Sequence, residues 1–505
     1  MQFGRKILFT DVETVTRENI SDILCDVISD HEINATSIQL LFDYEAGMQK
    51  NFRTKKYRPE IDCWCVDNIA NEVTDFKLSF NWGNPITLSM RERNDESNKD
   101  ISNAIFELNK FYDLQGNRSK QQELARFVEI GGIGYTFVDI NTDYQDGESP
   151  FTVDVLDARC SFIIRSSYYL DKRPMVGVTY FCDKNGNKRF TCYTKDSRFD
   201  LNSNYEHEER SGEENPLGTI PIIEWIRSHD RMGCFERQIS EMDNLNLLIS
   251  DFTNDVEQNT QAIWHTNDVE FPTKIVKAED GTETEEIVKP KANDWMQTFT
   301  SPDGKTPTVK PLAIDYDYAG MLQNITTRRS LILQKCNVPS RNDNSGGSTG
   351  VAMSDATGWT QAETEANRQD QIKDVCKLSE VKVVLRAVQK CSKFPIDNPL
   401  RKLIYSDVEV NMPRQKTYEL TTKVNAICAL ISKGFSIEDC LSVAPVFEDN
   451  NQVAVRSGEG VRRFQESQVF KIDKTEIETE EKRPFPDLSD QESNSPIIGG
   501  MSKNN

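Results

Sequence analysis

Four short strings bring chemically capable residues together. Ile7 Leu8 Phe9 Thr10 Asp11 Val12 Glu13 Thr14 has the form of an apolar strand delivering two carboxylates, the arrangement with which two-metal nucleases hold divalent ions. That chemistry needs further aspartates and a histidine placed shortly before one of them, and His31, His207, His229 and His265 offer no such partner in a helical setting. Gly304 Lys305 Thr306 ends like a phosphate-cradling GxxxxGK loop, but Phe299 stands where the first glycine must be. Gly346 Gly347 Ser348 Thr349 Gly350 spells GxSxG, a pattern that presents a nucleophilic serine only when an apolar strand leads into it; here Asn342 Asp343 Asn344 Ser345 does. Cys63 and Cys65 have no matching second pair, so the cysteines read as reduced, mostly buried thiols. The expectation is a protein that is not an enzyme, with no catalytic residue, no metal and no cofactor.

Charge points the same way. The net charge of -21 and pI near 4.8 deny the chain the basic footprint of a protein that grips phosphate, so any nucleic acid must be handled without tight adhesion. A basic cluster at Lys50, Arg53, Lys55, Lys56 and Arg58 reads as a solvated surface. A 28% charged composition with a mean hydropathy of -0.60 fits a soluble chain, and no apolar run approaches the ~20 residues of a spanning helix. Ile7 to Phe9 is too short an apolar stretch for a signal peptide, so the chain is expected to stay in the cytoplasm where it is made.

The elements that must position these residues follow from periodicity. Ile20, Ile23, Leu24, Val27 and Ile28 mark a helix within 15–50, Asn68 to Phe76 has helical period, Gly83 to Pro85 turns the chain into a strand, and 101–130 reads as helix. Gly131 to Ile140 opens a β-rich region that runs to about residue 228, with a turn at Asn185 Gly186. Phe235 to Trp264 is the clearest long helix, with Ile239, Met242, Leu245, Ile249, Phe252, Val256 and Ile263 as one apolar stripe and Glu241, Asp243, Asp251, Asp255 and Glu257 on the other face. Residues 265–313 carry five prolines and two Asp-Gly turns and read as strands and turns between helices. A second helix spans about 316–335 and stops before Pro339; a Gly/Ser/Asn loop follows, then a very long helix over 361–391 and more helices within 415–446. The tail after Asp473 has the composition of a disordered segment.

Several of these segments, in order, resemble the portal proteins of long-tailed phages that infect Gram-positive bacteria. They are Tyr44 to Gly47, Asn68 to Ile86 with its Trp82 Gly83 Asn84 Pro85 Ile86 turn, Gly134 Tyr135, Ile220 Pro221 Ile222 Ile223 Glu224 Trp225, and Ser348 Thr349 Gly350 Val351 Ala352. The resemblance implies an α+β, mostly helical fold assembled as a dodecameric ring. It assigns residues 1–234 to a wing, 235–264 to a stem helix, 265–313 to a clip, 314–337 to a second stem helix and 338–352 to a tunnel loop. Residues 353–394 become a long wing helix, 395–472 a crown-like helical region and 473–505 a disordered acidic tail. It further implies a place at the capsid vertex of the virion, assembly in the host cytoplasm without a membrane, and double-stranded DNA passing through the channel. The implied partners are the terminase large subunit, the head-completion adaptor, and the major capsid and scaffolding proteins.

On that reading the loop residues Arg341, Asn342, Asn344, Ser345, Gly346, Gly347, Ser348 and Thr349 touch DNA. The glycines permit backbone motion and the small polar side chains offer neutral hydrogen bonds to phosphate. Asp251, Asp255 and Glu257 are candidate channel-lining acids, whose repetition around a ring would repel phosphate, although an ordinary solvated helix face accounts for any single one of them. Two other readings stay open: a metal-dependent DnaQ-like exonuclease built on Asp11 and Glu13, and a ring-forming scaffold unrelated to phage.

Overall fold

The computed structural model describes residues 4–51, 60–91, 98–168, 170, 172–260, 264–267, 273–277, 283–287, 306–311, 317–339, 358–414, 419–437, 440–441 and isolated positions between 453 and 463. The chain divides into two compact units, Met1–Arg414 and Gln415–Asn505. Arg341, Asn342, Asn344, Ser345, Gly346, Gly347, Ser348 and Thr349 lie outside the described residues, as do Arg53, Lys55, Lys56, Arg58 and the tail.

The first unit mixes helices and sheets, as the α+β expectation requires. Strand β1 (Leu8–Thr10), helices α1 (Ile20–Glu45) and α2 (Ile69–Trp82), strand β2 (Thr87–Met90) and helices α3 (Asn98–Leu114) and α4 (Asn117–Gly131) precede the β-rich run. That run holds β3 (Ile133–Ile140), β4 (Phe151–Leu156), β5 (Ser161–Ser166), β6 (Pro174–Cys182), β7 (Lys188–Tyr193), β8 (Ser197–Leu201), β9 (Glu213–Glu214) and β10 (Ile222–Ile226). They form a six-stranded sheet in the order β1-β5-β6-β7-β8-β9 and a three-stranded sheet in the order β10-β3-β4. Helix α5 (Ile239–Thr260) leads to two antiparallel strand pairs, β11 (Trp264–Asn267) with β14 (Thr308–Pro311) and β12 (Thr273–Lys277) with β13 (Glu283–Ile287). Helices α6 (Tyr318–Lys335) and α7 (Trp359–Lys390) follow, then β15 (Val408–Asn411); the second unit contains α8 (Glu419–Ser432).

Helix α1 shows how the periodicity becomes packing. Its Ile20, Ile23, Leu24 and Val27 cover the six-stranded sheet, while Leu41 and Tyr44, at the other end of the same stripe, pack with α2, α5 and α6. A second core gathers Val381, Val384 and Val388 of α7 with α3, α4 and Phe394, so α7 backs the three-stranded sheet. Burying each such aliphatic side chain stabilises by roughly 1.5–3 kcal/mol, which is what holds helices of ordinary propensity in place.

Three sequence expectations need correction. The helix expected over 101–130 is two helices, because Gly116 takes a left-handed φ of 71° and breaks the chain between α3 and α4. The helix expected over 235–264 is shorter at both ends. It opens as a 3-10 turn at Glu236–Gln238, since Cys234 N is committed to Glu129 O at 2.7 Å and a Cβ on Gly233 would fall 2.1 Å from Ile130 O. Its described residues run to Thr260, and Trp264 already belongs to a strand paired with Pro311; Ile263 lies outside the described residues. The region expected to be helical over 395–472 begins instead with 3-10 turns at Pro399–Lys402 and Tyr405–Asp407 and with β15, which pairs antiparallel with β2. Alternating Val408 and Val410 complete that sheet, and the first unit therefore runs on to Arg414.

Candidate functional site

Helix α5 carries the candidate acids, and the structure separates them. Helical periodicity puts Asp251 and Asp255 one turn apart on a common face, both half-buried, whereas Glu257 turns to the side where its Oε2 accepts from the Cys63 thiol at 3.7 Å. Glu241 pairs with Lys335 at 3.7 Å, and Asp243 accepts from the Tyr44 hydroxyl at 2.9 Å, with burial raising the pKa of Asp243. The acids therefore do not form one continuous face.

The buried face of α5 is also not purely the apolar stripe that periodicity suggests. Met242 and Leu245 enter the core, but Val256 is 41% exposed. From Asn246 onward the buried residues are polar: Asn246, Ser250 and Asn254, each four residues apart. They hold an extended strap of backbone. Asn254 accepts from Cys63 N at 2.8 Å and donates to Cys63 O at 2.9 Å; Ser250 Oγ accepts from Cys65 N at 3.0 Å; Asn246 accepts from Asp67 N at 2.9 Å. The fit is geometric, since four helical residues advance about 6.0 Å and two extended residues about 6.6–6.8 Å. Alternate strap amides thus meet successive helix turns, and the side chains replace a neighbouring strand.

Helix α6 runs antiparallel to α5, with Tyr318 edge-on to Phe252 at 5.9 Å and accepting from Asn259 Nδ2, and Lys335 near Glu241 at the other end. Arg329 ties α6 to the strap and to α2 through Asp67 at 2.9 Å and Glu72. Ile332 is the one fully buried residue of α6, while Leu322 and Leu331 are 57% and 46% exposed. A helix packed so lightly within its own chain leaves a flank available to another surface.

The described residues that flank 340–357, Pro339 after α6 and Gly358 before α7, come close together. A Cβ on Gly358 would lie 3.8 Å from Pro339 Cα. Beneath this point is a buried charged cluster. Lys77 of α2, 1% exposed, donates to Asn337 O at 3.3 Å and pairs with Glu365 of α7. Glu365 also pairs with Arg227 and accepts from Asn337 Nδ2 at 3.1 Å; Arg227 pairs with Glu129 at 2.9 Å, which accepts from the Trp82 indole at 3.0 Å. Burial pushes Glu129 and Glu365 toward protonation, but Arg227 acts on both carboxylates, aided by Lys373 at Glu129 and by Lys77 at Glu365, and both end below the usual range. Burial draws the Lys373 ammonium down to about 8. These groups are fully engaged in holding elements together, and the sequence offered no sign of it: a lysine inside a helix ordinarily reads as surface.

The strings first singled out do not converge on chemistry. Asp11 and Glu13 are exposed beyond the edge strand β1, and Asp11 accepts from the Ser167 hydroxyl. Among the described residues no three His, Cys, Asp or Glu side chains gather as a metal site, and no helix is long and apolar enough to cross a membrane. Gly304, Lys305 and the Gly346 to Gly350 string lie outside the described residues.

Among the described residues, then, α5 and α6 form a lightly packed antiparallel pair, with two small strand pairs between them in the chain, and the buried charges of the α+β body pair with one another. The chain belongs to the phage portal protein family: the family model described as phage portal protein, SPP1 Gp6-like, matches residues 29–469. Portal proteins are components of the bacteriophage virion that serve DNA packaging. No curated protein matches the chain. The exonuclease alternative is not favoured.

Proposed function

We propose that copies of this chain close into a dodecameric ring at one capsid vertex, through which DNA is packaged and later ejected, and that the phage is a long-tailed one of a Gram-positive host. The observation that carries the reading is the family match over 29–469, and the exposed flank of α6 supports it. A closed ring needs heterologous contacts, one face meeting a different face of the next copy. In this reading 235–264 and 314–337, which hold α5 and α6, are the stem, 265–313 the clip, 338–352 the tunnel loop, 1–234 and 353–394 the wing and 395–472 the crown-like region. An acidic tail, 473–505, follows it.

DNA then meets Arg341, Asn342, Asn344, Ser345, Gly346, Gly347, Ser348 and Thr349 in the loop, and Asp251 and Asp255 repeat around the channel as a wall that discourages phosphate from settling. Glu257 has a smaller part in that wall, given its contact with Cys63. Exposed strand edges in the clip suit docking of the terminase large subunit and then the head-completion adaptor, while the outer body meets the major capsid and scaffolding proteins; assembly takes place in the host cytoplasm. Negative-stain microscopy of the purified chain tests the ring directly. Hollow rings are expected; a single-copy particle under all assembly conditions, or magnesium-dependent nuclease activity, refutes it. Deleting 341–349 should leave rings intact and stop packaging.

A further inference from the structure

Both ends of the 340–357 segment rest on one helix, α2. At the outgoing end Val338 is buried in the core that also holds Ala70 and Val73 of α2, and Asn337 O accepts from Lys77. At the returning end Trp359 lies edge-on to Phe76 and Phe80 at 5.9 and 5.8 Å, and Glu365, two turns into α7, meets the same Lys77. Asn337 closes the triangle through Glu365 at 3.1 Å and holds a left-handed φ of 53° to do so. One ammonium thus joins the turn that follows α6 to the first turns of α7.

We infer that Lys77 is a positioning residue for the two roots that flank 340–357: through Asn337 and Glu365 it clamps them to each other and fixes their relative position. Stability alone is a poor reason for the arrangement. Buried ion pairs recover little net free energy after desolvation, and an apolar side chain of similar length would fill the space. What an ammonium supplies and a methyl cannot is directional bonds to two roots at once, which fix their relative position. Its bearing on packaging rests on the reading of 340–357 as the loop that faces DNA.

The test uses the full chain with Lys77→Met and, should that variant lose its fold, Glu365→Gln, which keeps the side-chain shape and removes the ion pair with Lys77. Hydrogen exchange is followed at 333–337 and 359–366 in assembled rings. Each variant should speed exchange about tenfold or more at both roots and leave β3, β4 and the middle of α7 unchanged. Unchanged exchange in Lys77→Met or Glu365→Gln, whichever keeps its fold, or acceleration at one root only, overturns the clamp. DNA packaged per head, in phage supplied with the variant protein, should fall about tenfold in Lys77→Met; full packaging with accelerated root exchange overturns the positioning role. The 341–349 deletion is run in parallel: if it packages normally, the reading of the loop fails, while the exchange result still judges the clamp.

Discussion

The strap held by α5 yields the sharpest test, because its bonds alternate along the backbone. Cys63, Cys65 and Asp67 donate to Asn254, Ser250 and Asn246, and among the described residues no such bond joins the amides of Trp64 and Val66. Amide exchange should therefore be slow at 63, 65 and 67 and fast at 64 and 66. Removing one acceptor by Ser250→Ala deprives Cys65 N of a bond worth about 1 kcal/mol net, so its protection should fall about fivefold. Asn254→Ala removes two bonds to Cys63, about 2 kcal/mol together and about thirtyfold in exchange; the exposure of Cys63 makes this an upper value, since water replaces part of the loss. Residue-resolved exchange by NMR or by mass spectrometry with electron-transfer fragmentation reads both. Uniform protection across 63–67, or a Ser250→Ala effect shared equally by all the strap amides, would show that the strap is held by packing and not by the polar ladder.

Acid should weaken the first unit through His31, whose pKa burial lowers from 6.5 to about 4. The unfolded chain binds the extra proton, so stability is full above about pH 6.5 and is lost as pH falls toward 4; about 2 kcal/mol should be gone by pH 5. Urea midpoints at pH 7.5 and 5 check this, and His31→Gln should flatten the difference. Gly132→Ala should cost more than about 3 kcal/mol, because φ is 81° and the new Cβ would sit 2.4 Å from Arg231 O. Gly116→Ala, with a similar φ but no atom within 4 Å, should cost only about 1 kcal/mol in the same denaturation assay. Leu331→Asp on the exposed flank of α6 should leave the subunit's unfolding midpoint unchanged and abolish rings in native mass spectrometry; rings that persist would move the neighbour contact elsewhere.

Much of the architecture was legible in the chain itself, because hydrophobic periodicity and turn residues are local signals. Ile20 to Val27, Met242 and Leu245, and Val381 to Val388 announce the faces they bury. Asn185 and Gly186 announce the β6–β7 turn, where Gly186 N donates to Asp183 O at 3.0 Å with a φ of 83°. The order of most helices and strands needs no more than this, whereas the family rests on the match over 29–469. Helix ends were less legible: Trp264 looked like the close of a helical stripe and belongs to a strand, because its partner Pro311 is supplied by a distant part of the chain.

What only the tertiary structure decided is where the polar residues go. A buried Asn246, Ser250 or Asn254 is indistinguishable in sequence from a solvated one, since its burial depends on a strap that arrives from 179 to 191 residues away. Lys77 and Glu365 stand 288 residues apart, and nothing near either predicts the other. Apolar side chains need only to leave water, so their pattern is written locally; a buried polar group needs a specific partner, and that partner is chosen by the fold.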